Sequence, residues 1–177
     1  MHINDLFDLS NQVAIITGGA GMFGKSLATA LAEAGAVAII ASRNLEQCRH
    51  FADELISQGL KADAFQLDQG EKESIDILID AVLQKYGHID ILVNNSVTRK
   101  GMADLDDLTQ EGWENAQRVN STGLMLITQA VVREMKKKKR GNIINIGSIQ
   151  GVRGPRFPVY NGTEMSSPLN YTYDKWG

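Results

Sequence analysis

Residues 12–24 read QVAIITGGAGMFG, and the change of character halfway along decides which folds can follow. QVAIITG (12–18) is a short apolar run, rich in β-branched residues and closed by glycine, as expected of a strand buried on both faces. From Phe23 to Ala34 the chain is rich in Ala and Leu, until Gly35 stops it as a helix C-cap does. Between them lies TGGAGMFG (17–24). Glycines there allow a tight turn and let backbone N–H groups approach an anion, and the helix N-terminus adds positive dipole. A strand, a glycine turn and a helix in that order point to a nucleotide pyrophosphate. Thr17, Gly18, Gly19, Gly21, Met22, Phe23 and Gly24 are then candidates to border it.

The same alternation continues outward. AVAIIAS (36–42), KADAFQL (61–67), HIDILVNN (88–95) and GNIINIGS (141–148) read as further strands. Residues 44–59 form a helical stretch between Asn44 as N-cap and Gly59. In 71–86, Ile75, Leu78, Ile79, Val82 and Tyr86 fall on one helical face, and Thr109 to Lys139 is a long helical stretch. The segment after the fifth strand, through Leu169, is loop-like. Strands alternating with single helices predict an α/β fold: a doubly wound parallel sheet, Rossmann-like, in three αβα layers. Without a linker, repeat or composition break, residues 1–177 are expected to form a single domain. Ligands of such sheets lie beyond the carboxyl ends of the strands, where this chain carries TGGAGMFG, SRN, LDQ, NNSVTR and GSIQG.

The second strand ends Ser42-Arg43, 19 positions after Gly24. An acidic residue near that place accepts hydrogen bonds from ribose hydroxyls, whereas a guanidinium suits a 2′-phosphate. NADP(H) is therefore the expected cofactor, with NAD(H) as the alternative. Asp68 either contacts the adenine amino group or caps the next helix.

Bulk composition narrows the rest. The chain of 177 residues is 43% hydrophobic and 22% charged, with net charge −3, which does not favour nucleic acid or an anionic membrane. Its single cysteine, Cys48, excludes an internal disulfide or cysteine-cluster metal site, and the three histidines have no metal-like spacing. Met1 to Gln12 lacks the pattern of a signal peptide, and no apolar run reaches the ~20 residues of a membrane span, so a cytoplasmic location is expected. KKKKR (136–140) reads as a solvated helix end, where cations complement the dipole.

TGGAGMFG, IDILVNN, Asn120 in RVNSTG, IINIGS with Ser148, and Tyr171-x-x-x-Lys175 stand in one order along the chain. In that order the sequence resembles the short-chain dehydrogenases/reductases. Three departures stand out: Met22 where the family usually has glycine, Ser96-Val97 where it has Ala-Gly, and 23 positions between Ser148 and Tyr171. The long loop holds a competing Tyr160, but Glu164 stands four residues on, and a carboxylate disfavours a phenolate where an ammonium favours it. Tyr171 is the expected acid–base group.

The resemblance implies reversible hydride transfer between nicotinamide and a carbon bearing oxygen. Tyr171 would move the hydroxyl proton, Lys175 would assist it and bind the nicotinamide ribose, and Ser148 would orient the carbonyl. Asn120 would hold a water linking Lys175 to solvent, and Asn94 and Asn95 would tie the fourth strand to its neighbour and border the cofactor. Arg153, Arg156 and Tyr160 are candidates to bind a small anionic or hydroxyl-rich substrate, such as a sugar acid, with a 3-oxoacyl thioester as rival. The resemblance also implies further strands and helices after Lys175, hence a truncated chain, an unpaired fifth strand and a short final helix that depends on packing. A homo-oligomer is expected of the full-length form. The alternatives are a nucleotide-binding remnant without catalysis and a longer sugar-nucleotide epimerase, which Arg43 and the length disfavour.

Overall fold

The computed structural model describes residues 2–176. The apolar runs form five strands: β1 (Val13–Thr17), β2 (Val37–Ser42), β3 (Ala62–Gln66), β4 (Ile91–Asn94) and β5 (Asn142–Asn145). All are parallel, in the order β3-β2-β1-β4-β5. Ile15 of β1 lies beside Ile39 and Leu92, so the central strand is flanked by aliphatic side chains on both sides.

The helices are α1 (Ile3–Leu6), α2 (Met22–Glu33), α3 (Leu45–Ser57), α4 (Lys72–Tyr86), α5 (Gln110–Ala116), α6 (Leu124–Lys138) and α7 (Leu169–Trp176). Because strand side chains alternate, β1 feeds two cores. Ala14 and Ile16 pack with Ala28, Ala32, Phe51 and Leu55 of α2 and α3. Val13 and Ile15 pack with Ile75, Leu78 and Val82 of α4 and with Ile127 and Val131 of α6. The local signals explain the helix ends. Asn44 Oδ1 accepts from Gln47 N at 3.0 Å, and Gly87 closes α4 at φ 77°.

The structure refines the sequence expectations in three places. The strands are shorter than the apolar runs, β4 and β5 most of all; past β5, Ile146 N still donates to Asn94 O, but its carbonyl is taken by Lys175 of α7. The stretch from 109 to 139 is helical but contains a π-turn, Gln117–Gly123, between α5 and α6. Asp68 does not cap α4: Glu71 holds that position, and Asp68 Oδ1 instead accepts from Gly70 N at 2.9 Å. β5 lies at the sheet edge, and its Ile144 is 41% exposed. No helix among the described residues is long and apolar enough to cross a membrane.

Candidate functional site

The strand order reverses between β1 and β4, and a cleft of about 480 Å³ opens beyond their carboxyl ends. Its floor is the glycine turn. Gly18 adopts φ 62° and its carbonyl accepts from Gly21 N at 2.9 Å, closing the turn. A Cβ on Gly24 would fall on that same carbonyl, so only glycine lets α2 start against the turn. Gly21 caps α2 without a side-chain hydrogen bond, leaving first-turn N–H groups for a ligand. Gly18, Gly21, Met22 and Phe23 line the cleft, whereas Thr17, Gly19 and Gly24 are not among its lining residues. Thr17 is fully buried, and its Oγ1 accepts from Asn95 N at 3.0 Å and Ser96 N at 2.9 Å, tying β1 to β4.

Ser42, Arg43 and Asp68 line the cleft at the ends of β2 and β3. Arg43 makes no ion pair among the described residues. Ser42 Oγ lies 3.0 Å from the buried Cys48 Sγ. Asn94 is buried at 4% exposure; its amide donates to Thr128 Oγ1 and Asn145 Oδ1. Its neighbour Asn95 takes the cleft wall, donating to the carbonyls of Thr17 and Gly18.

The Tyr-x-x-x-Lys pair rides on α7. Lys175 Nζ donates to the carbonyl of Ile146, just past β5, at 3.0 Å and stands 5.9 Å from the centre of the Tyr171 ring. Ser148 lies two residues beyond Ile146, and its Oγ accepts from Gln150 N at 3.2 Å, leaving its proton to donate elsewhere. Asn120 sits in the π-turn; its Oδ1 accepts from Thr98 N at 2.8 Å and its amide donates to Asp174 at 2.6 Å. The structure thus brings Tyr171, Lys175 and the end of β5 together and joins Asn120 to α7, but these residues, Ser148 and the buried Asn94 are not among the lining residues of the cleft. Arg153 and Arg156 are exposed on the turns at 149–160 and, with Tyr160, are not among the lining residues of the cleft.

The segments LDQ and NNSVTR, expected at the ligand end of the sheet, do line the cleft through Gln69, Thr98 and Arg99, whereas sequence reasoning missed Gln47, which lines it too, and Asp174, which binds Asn120. Among the described residues, no cluster of His, Cys, Asp or Glu is placed to hold a metal ion.

A parallel sheet with a glycine turn at its switch point defines a dinucleotide-binding α/β protein. The comparisons narrow the class: the model of the short chain dehydrogenase family matches residues 12–165. The chain belongs to the short-chain dehydrogenase family. It is 34% identical over 152 residues to 5-keto-D-gluconate 5-reductase of Escherichia coli, covering 86% of this chain and 59% of the relative. It is 38% identical over 151 residues to a 3-oxoacyl-[acyl-carrier-protein] reductase of Synechocystis, covering 82% and 59%. Among solved structures, a gluconate 5-dehydrogenase from Burkholderia cenocepacia in complex with NADP and tartrate superposes with TM-score 0.82 at 35% identity. That match covers 98% of this chain and 64% of the other. The chain spans 55–59% of the length of the curated relatives it matches.

Proposed function

We propose that this chain carries the nucleotide-binding and proton-transfer parts of an NADP(H)-dependent oxidoreductase acting on a hydroxy/keto carbon of a small polar substrate. The observation that carries the proposal is the placement of Lys175 Nζ beside the Tyr171 ring at the end of β5. The glycine turn, with no room for a Cβ at Gly24, fits a pyrophosphate, and the unpaired Arg43 fits a 2′-phosphate. Gly18, Gly21, Met22, Phe23, Ser42, Arg43, Asp68 and Asn95 would hold the nucleotide. A bound nicotinamide supplies or accepts the hydride. Tyr171 Oη gives or takes the substrate's hydroxyl proton, Lys175 would hold the nicotinamide ribose, and Ser148 Oγ–H orients the substrate oxygen.

A sugar-acid substrate is favoured by two matched relatives named for gluconate or its keto form; the acyl-carrier reductases support the 3-oxoacyl thioester as second choice. The test is fluorescence titration with NADPH and NADH, followed by NADPH oxidation with keto-sugar acids and 3-oxoacyl thioesters. Tyr171→Phe should lower turnover about 10²–10⁴-fold with nucleotide binding kept, and Tyr160→Phe should be mild. The reverse order of the two tyrosine variants, or failure to bind either nucleotide, refutes the proposal.

A further inference from the structure

Asp174 lies within the Tyr171-x-x-x-Lys175 motif, next to the lysine, and adjacent side chains on a helix point apart, so its carboxylate faces away from the ammonium. Its Oδ2 accepts from the Asn120 amide at 2.6 Å, and its Oδ1 accepts from the Gln117 amide at 2.7 Å and lies 3.5 Å from Ser121 Oγ. These donors are neutral, and Lys175 points instead to the Ile146 carbonyl. Gln117, Asn120 and Ser121 of the π-turn all reach Asp174, so they share the face that meets α7. Asn120 bridges the two sides: its oxygen accepts from Thr98 N, and its amide donates to Asp174 and lies 3.5 Å from the Thr98 carbonyl. Asp174 therefore links a two-turn helix, too short to be stable alone, to the π-turn and through Asn120 to the loop after β4.

We propose that Asp174 is a positioning residue: its carboxylate, held by the side chains of Gln117 and Asn120, fixes the helix that presents Tyr171 and Lys175. The effect on turnover rests on the proton-transfer role proposed above. The effect on helix position does not.

Asp174→Asn is nearly isosteric but exchanges two hydrogen bonds to a charged acceptor for weaker neutral ones, and its N–H is met only if the Gln117 amide turns over, since the Asn120 oxygen is held by Thr98 N. Expected outcomes are a kcat lower by roughly ten- to hundredfold, a nucleotide Kd within about twofold, and faster hydrogen exchange confined to the α7 amides. The double variant Asn120→Asp with Asp174→Asn reverses donor and acceptor, keeps Oδ acceptors for Thr98 N and Gln117, and should restore α7 protection. Unchanged α7 exchange in Asp174→Asn overturns the proposal. So does a fall in kcat matched by equal loss of nucleotide affinity and exchange protection throughout the sheet, or failure of the double variant to restore protection. If the parent chain turns over no substrate, the proposed function fails, while the exchange comparison still decides whether Asp174 positions α7.

Discussion

Arg43 stands at the cleft with no ion-pair partner among the described residues, although a guanidinium can make two parallel hydrogen bonds to one phosphate. Arg43→Ala should weaken NADPH binding roughly ten- to hundredfold and leave NADH nearly unchanged, as read by nucleotide fluorescence. Asp63 makes a different prediction. Burial pushes its carboxyl pKa up, but hydrogen bonds from Lys85 and Tyr86 and from Ala64 N outweigh this and hold it below the usual carboxylate value. A depressed carboxyl pKa stabilises the fold above the unfolded-state pKa of about 3.9 and loses that contribution as pH falls through the folded value. Asp63→Asn should therefore be less stable than the parent at pH 7 by about 1 kcal/mol, and the gap should close in acid denaturation profiles below about pH 4. The Tyr171–Lys175 pair was legible because its chemistry sets its spacing. Asp174 was only half legible: helical spacing turns it away from Lys175, but its partner Asn120 lies 54 positions back and is set by packing.

At the scale of elements, α7 is short but well tied. Tyr173 packs on Trp113 of α5 with ring centres 4.8 Å apart, Asn170 donates to Gly101 O, and Leu169 N donates to Ala103 O. The loop after β4 in turn rests backbone to backbone on α5, because a Cβ on Gly101 would lie 2.6 Å from Gly112 Cα. Gly112→Ala should push that loop off α5, lowering stability by about 1–3 kcal/mol in urea unfolding and loosening Asn170's acceptor at Gly101. Strands and most helices were readable from apolar runs and their caps. The π-turn was readable only in retrospect. Val119, Gly123, Ile127, Val131 and Met135 are all buried and four apart. A regular helix advances 3.6 residues per turn, so such a row drifts about 40° per step, and a locally wider turn absorbs part of the drift. Deleting one residue from 117–123 should turn the π-turn into regular α-helix and leave Ile127 and Val131 facing the core, so unfolding should stay cooperative.

Across the whole molecule, the end of the sheet opposite the cleft is closed by Asp90. Its side chain is 5% exposed and accepts from Val13 N at 2.9 Å and Arg140 at 2.9 Å, with His88 Nε2 at 3.1 Å. Asp90→Ala would strand the Val13 N–H and should cost about 1–3 kcal/mol in denaturant titration while leaving nucleotide affinity unchanged. The two cores lie on opposite faces of the sheet and draw on different parts of the chain. Residues 13–66 supply β1 to β3 together with α2 and α3, the helices of one face only. Val13, Ile15, Ile39 and Ala41 on the other face wait for α4 and α6. During synthesis, then, the emerging half-sheet shows an aliphatic surface that α4 begins to cover about 20 residues later and α6 closes only after about seventy, roughly 4–14 s at usual elongation rates.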